Sequence, residues 1–172
     1  MKKATLVGAV SIGVLMLNSS FAADSTLNHT DKSFVENAAQ GGLFEIQGSQ
    51  LAQTKSTTPG VKTFADRMIA DHTKASDELN QIATAKGVTP PTEPSLAQRG
   101  KLKALGTLDG NHFDKNFADS VGVSAHKDTV SLFEKEATKG TDPDLKAYAA
   151  KTLPTLKDHL KMAQDLQASV KQ

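Results

Sequence analysis

Residues 59–86 read PGVKTFADRMIADHTKASDELNQIATAK. Val61, Ala65, Met68, His72, Ala75, Leu79 and Ile82 recur at alternating intervals of four and three, the seam of a helix that buries one stripe and wets the other. Thr58 ahead of Pro59 marks the start, since proline fits a first helical position whose N–H has no partner in any case, and Gly87 marks the stop. At 1.5 Å per residue, about 28 residues make a rod about 42 Å long. In a small chain such a rod packs only alongside others of its kind.

Residues 143–170 repeat the pattern through Leu145, Ala149, Thr152, Leu156, His159, Ala163, Leu166 and Val170, behind an Asp142-Pro143 start. Two more long helices are predicted at 32–56, opened by Asp31 as cap, and at 111–138, stopped by Gly140. No segment alternates like a strand, so the expected class is all-α. Between helices two and three, residues 88–109 hold Pro90, Pro91 and Pro94 and then a short helical pattern over 95–105 with Leu96, Leu102 and Leu105. That connection is too long for a tight hairpin and long enough to run the length of the bundle, which leaves helices two and three parallel. The expected architecture is a ferritin-like four-helix bundle with a long crossover containing a short helix.

An internal repeat supports this topology. Asp31-Lys-Ser-Phe34 recurs as Asp114-Lys-Asn-Phe117, Pro59-Gly-Val61 with Phe64 as Pro143-Asp-Leu145 with Tyr148, and Asp71-His72-Thr-Lys74 as Asp158-His159-Leu-Lys161. Near-constant offsets describe a duplicated helix pair related by a pseudo-twofold axis.

The chain has 172 residues, 38% of them hydrophobic and 23% charged, which suits one compact domain rather than disorder. Met1, Lys2 and Lys3, an uncharged stretch over 4–17, and Ser20-Phe21-Ala22 form the pattern of a secretory signal peptide over 1–22, followed by a flexible tail over 23–30 and the bundle over 31–172. About 14 apolar residues fall short of the roughly 20 that span a bilayer. Removal of Lys2 and Lys3 takes the formal net charge from +1 to −1, and no basic stripe with interleaved aromatics is present, so nucleic acid is not an expected partner. The absence of Cys excludes disulfides, a thiol nucleophile, a cysteine lipid anchor and covalent haem attachment. A periplasmic protein without a transmembrane segment is expected, with secretion as the other outcome of export.

His72 and His159 lie in the two seams, His126 on a stripe with Val123, Val130 and Phe133, and Glu45 on a stripe with Phe34, Ala38, Gly41, Gly48 and Ala52. All four fall near mid-helix and so at one level of the bundle. Neutral imidazoles and a carboxylate suit Zn, Cu, Ni or Fe, which makes Glu45, His72, His126 and His159 candidate metal ligands. Asp71, Asp128 and Asp158 are candidates to orient the imidazoles from behind. A buried polar network that only fixes the bundle's register, or a small-ligand or proton site, accounts for the same residues. Di-iron chemistry is not expected, because Glu-x-x-His is lacking: Ile69 and Leu156 stand three before His72 and His159. No nucleophile elbow, phosphate loop or zinc-protease motif appears, so no catalytic residue is assigned and an enzyme is not the leading reading. The alternative to metal binding is a structural or stress-protective interaction protein. Gly41, Gly42 and Gly48 flank Glu45 inside a helix, for close backbone approach or for room beside the carboxylate. His29 and His112 are expected on the surface.

The N-terminal pattern, Asp31 with Phe34, Gly42 with Glu45, Phe64-Ala65 with Met68 and Asp71-His72, Phe113-Asp114, His126, and Leu153-Pro154 with His159 together resemble the uncharacterised bacterial exported proteins catalogued as a domain of unknown function, number 4142, often labelled outer-membrane proteins. The likeness runs over 31–168. It implies a ferritin-like helical bundle and brings no activity, substrate or site residue with it.

Overall fold

The computed structural model describes residues 27–171. The signal-peptide reading over 1–22 and residues 23–26 of the expected tail lie outside them. The elements are α1 (His29–Lys55), α2 (Pro59–Ala85), α3 (Leu96–Gly106), α4 (Gly110–Phe117), α5 (Ala125–Lys139) and α6 (Pro143–Val170), with a π-helical segment, Ala118–Ser124, joining α4 to α5. No strand occurs among the described residues. α1, α2, the α4–π–α5 rod and α6 are the four long helices, and α3 is the short helix of the crossover.

The packed side chains give the direction of each rod. Phe64 near the start of α2 meets Phe117 at the end of α4, with ring centroids 6.0 Å apart, in a core with Leu166 and Val170 from the end of α6. Leu79 and Ala83 near the end of α2 join Phe133 of α5, Leu145 of α6 and Phe34 of α1 in a second core. α2 and the α4–π–α5 rod are therefore parallel, and α1 and α6 run against them. The crossover carries the chain from one end of the bundle to the other, with α3 laid on α1 and α4 and held at its start by a reciprocal Ser95–Gln98 capping box.

The first helix begins three residues before its expected start. Asn28, not Asp31, is its cap, accepting from the Asp31 backbone N–H, and Leu27 ahead of it is buried. This frees the Asp31 carboxylate to accept from the Thr141 and Asp142 backbone N–H groups at 3.1 and 3.0 Å and from the Thr141 hydroxyl at 2.6 Å, just ahead of α6. Its repeat counterpart Asp114 accepts from the Thr58 hydroxyl just ahead of α2. Each half of the repeat thus pins the start of the other half's second helix, as a pseudo-twofold requires.

Glycine has a packing reason at Gly48, where an added Cβ would stand 2.7 Å from Cγ2 of Val121 across the α1–π contact. Gly48→Ala is expected to destabilise by about 1–2 kcal/mol, the overpacking cost exceeding the roughly 1 kcal/mol that alanine gains in a helix. Gly100→Ala, with nothing within 4 Å of the new Cβ, is expected to stabilise instead. Urea denaturation of the two variants against the parent reads both signs, and a stabilised Gly48→Ala would contradict the close contact.

Candidate metal centre

Between the two apolar cores each long rod brings one polar side chain to the axis: Glu45 from α1, His72 from α2, His126 from α5 and His159 from α6. None is more than 4% exposed. The three imidazoles form a nearly equilateral triangle, with ring centroids 5.3, 5.3 and 5.5 Å apart. One ring nitrogen from each lies within 4.8 Å of one from each of the others, the one such group of three among the described residues.

The π segment aims His126. The buried stripe Phe113, Phe117, Val121 advances in fours, then jumps five residues to His126 before resuming at Val130 and Phe133. In an unbroken α-helix a step of five would carry His126 well off the stripe. The π segment absorbs the extra residue, with the Ala125 N–H bonding back five residues to the Ser120 carbonyl. Carbonyls of this stretch then accept from the ring: Nδ1 of His126 lies 2.8 Å from the Gly122 oxygen and 3.3 Å from that of Val121. Because a carbonyl only accepts, Nδ1 carries the proton and Nε2 a lone pair.

His159 is held in the same way, and His72 stands beside a carboxylate. Nε2 of His159 lies 2.9 Å from Oδ2 of Asp71, so it donates there, and the buried Nδ1 has no hydrogen-bond partner. Nδ1 of His72 lies 3.2 Å from Oε2 of Glu45, which leaves Nε2 facing Nε2 of His126 at 3.3 Å. Two imidazole nitrogens bound at about 2.0–2.1 Å to one ion in tetrahedral or trigonal geometry stand about 3.3–3.6 Å apart, so this spacing already matches shared coordination. Burial pushes His72 below its ordinary pKa against the opposing pull of Glu45, and takes His159 down to about 4 against its bond to Asp71. Both rings are neutral at pH 7, the form in which imidazole binds metal. Burial would raise the pKa of Asp71, but its bonds to His159 and Arg67 outweigh that and hold its carboxylate below the usual range.

The acidic candidates separate by position. Glu45 is fully buried behind His72, with the Thr129 hydroxyl donating to Oε1 at 3.3 Å and Oε2 lacking a hydrogen-bond partner. It lies at the level expected but stands outside the triangle. Asp71 serves His159 across the bundle, not its sequence neighbour. Asp128 and Asp158 are exposed, which corrects the expectation that they orient the rings: each falls on the outer side of its helix. His29 and His112 are exposed, as expected. The residue that sequence reasoning missed is Thr129, one position beyond Asp128, and the missed device is the π segment.

A buried carboxylate oxygen and a buried imidazole nitrogen without partners each cost about 1–3 kcal/mol. A polar, enclosed, acceptor-rich triangle of this kind suits a cation. The profile of one protein family matches residues 17–166, nearly the whole chain; its description is "Domain of unknown function (DUF4142)". The chain belongs to this family. No curated protein matches the sequence. Among solved structures, the DUF305 fragment from Deinococcus radiodurans matches with a TM-score of 0.72 at 13% identity, covering 83% of this chain and 98% of that one. CopM in the Cu(I)-bound form matches with a TM-score of 0.66 at 19% identity, over the same shares of the two chains. At these identities both speak for the DUF4142 fold alone. No helix among the described residues is long and apolar enough to cross a membrane.

Proposed function

We propose that this DUF4142 protein binds one transition-metal ion between His72, His126 and His159, and that it does so in the periplasm after export through residues 1–22. The observation that carries the reading is the pairing of ring nitrogens. In His126 and His159 one ring nitrogen is tied to an acceptor, the Gly122 carbonyl or Asp71, His72 sets Nδ1 3.2 Å from the Glu45 carboxylate, and one ring nitrogen of each of the three lies within 4.8 Å of one from each of the others. Metal-binding histidines are held by this kind of outer partner. Zn, Cu and Fe all accept three imidazoles; copper stands highest in the divalent affinity order, and the fold is shared with a protein known in a Cu(I)-bound form. The ion is stored or carried here, with no catalytic step assigned. The second reading, a structural or stress-protective interaction protein, draws on the same hydrogen bonds as pins of bundle register.

The mature protein, purified without a histidine tag and loaded with Cu(I), Zn(II) or Fe(II), is expected to retain about one equivalent and to gain about 2.7 kcal/mol at a free metal concentration 100 times Kd. Elemental analysis and thermal melts with and without chelator measure this. Less than about a tenth of an equivalent, with no melting shift at the concentrations where RT ln(1 + [L]/Kd) should be large, would leave the structural reading in front.

A further inference from the structure

A triangle buried this deeply needs a way in. α1, α3 and α5 border a half-open surface cleft of about 330 Å³, whose walls include Asn37, Gly41, Gln98, Lys101, Asp128 and Thr129. Inside the bundle a cavity of about 20 Å³ lies against Gly42, Glu45 and His72, room for one water-sized occupant. Thr129 forms part of both walls. Its hydroxyl bonds to Oε1 of Glu45 at 3.3 Å, and the second Glu45 oxygen, fully buried and without a hydrogen-bond partner, belongs to the inner cavity's lining residue.

The three glycines of α1 differ in what surrounds them. An added Cβ at Gly48 would collide with Val121, and one at Gly42 would press on the Ser76 hydroxyl at 3.1 Å, so both serve close packing. At Gly41 the nearest atom is Oγ1 of Thr129, at an ordinary 3.7 Å. Packing does not require a glycine there, although glycine weakens the helix. Its missing side chain leaves open the cleft floor in front of Thr129.

Resting on the metal-binding reading, we infer that this cleft is the doorway by which the cation reaches the histidines, passing from Asp128 over Gly41 and past the Thr129 hydroxyl to Glu45 and His72. Apart from Lys101, polar groups on this route offer oxygen, namely the Asp128 carboxylate, the Asn37 amide carbonyl, the Thr129 hydroxyl and the Glu45 carboxylate, while the Gln98 carbonyl is held by the Ser95 N–H. A cation can exchange its waters for them one at a time. Thr129 is suited to the partition, because threonine in a helix divides its side chain between two rotamers, and turning from one to the other moves the hydroxyl off Glu45.

The test is stopped-flow exchange of Cu(I) alone, with uptake by the metal-free protein and release to excess colorimetric chelator, beside equilibrium titration. Gly41→Leu is expected to slow uptake and release together by at least about 10-fold with Kd unchanged, as narrowing a gate does. Asp128→Lys is expected to slow uptake at low salt by about 10-fold, while the same charge change at exposed Asp165 on α6 leaves it near the parent rate. Parent-like rates in Gly41→Leu, with a full equivalent bound, overturn the doorway and leave metal binding standing. A parent protein that binds no Cu(I) overturns both. Should Gly41→Leu fail to fold, the surface pair decides: equal uptake by Asp128→Lys and Asp165→Lys overturns the doorway.

Discussion

His126→Ala is expected to weaken metal binding by more than about 100-fold, since altering only an outer hydrogen-bond partner of a ligand already costs about 10- to 100-fold. Three things are lost at once: a donor to the ion, the ring that bonds the Gly122 and Val121 carbonyls, and a fully buried volume. The metal-free variant should therefore also lose about 2–4 kcal/mol, the range for emptying a buried site and unpairing polar groups. The decisive readout is the melting response to metal, which should vanish in the variant and persist in Glu45→Gln with affinity lowered about 10- to 100-fold. This order separates the two possible places of Glu45. If Glu45→Gln abolishes binding as completely as His126→Ala does, the carboxylate is itself a ligand and not the holder of His72. If His126→Ala binds copper as the parent does, the triangle is not the site.

The bundle was legible because its signals are local and repeated. Alternating intervals of four and three in α2 and α6, proline at both starts, and a proline-rich stretch too long for a hairpin are each direct consequences of helix geometry. The level of the histidines followed from counting along rods of known rise. What escaped was phase. The repeat offset that pairs Asp31 with Asp114 also pairs Glu45 with Asp128, but the π segment adds a residue between them, so the position facing Glu45 is Thr129 and Asp128 turns outward. The jump from Val121 to His126 was the available sign of it, visible only when the Phe113 stripe is followed through the whole rod. Asp71 and Asp158 were indistinguishable as sequence neighbours of histidines. Asp71 has Arg67 one turn earlier to share its charge, where Asp158 has Pro154. Asp31 reads as the cap from sequence because aspartate caps as well as asparagine does, and only the fold shows its carboxylate engaged at Thr141.

That engagement sets up the largest stability effect expected away from the metal centre: Glu136→Gln should stabilise the protein by about 2 kcal/mol at pH 8, allowing for partial solvent screening, and change little at pH 4.5. Glu136, in the last turn of α5, is buried and shares a hydrogen bond with Asp31. Gly140 makes room, since a side chain there would collide with the Glu136 carboxyl. Asp31 holds the ionised role: burial opposes it, but the donors from Thr141 and Asp142 prevail and keep its pKa below the usual value. Burial first, and then the Asp31 charge, push Glu136 up to about 7, so it acts as the proton donor of the pair. In the unfolded chain Glu136 ionises near 4.5, so the stability it contributes is complete below that pH and is lost as the pH rises through 7. Glutamine donates the same bond to Asp31 and does not titrate. His159 works in the other direction: with its pKa lowered from 6.5 to about 4, its contribution is present above 6.5 and is lost as the pH falls toward 4. Between these limits the two slopes oppose each other in the parent, whereas Glu136→Gln keeps the acid slope alone and should gain stability up to about pH 6.5 and then level off. Urea denaturation of the metal-free proteins at pH 4.5, 6 and 8 reads the difference, and an equal effect at all three values would mean that Glu136 does not hold a proton against Asp31.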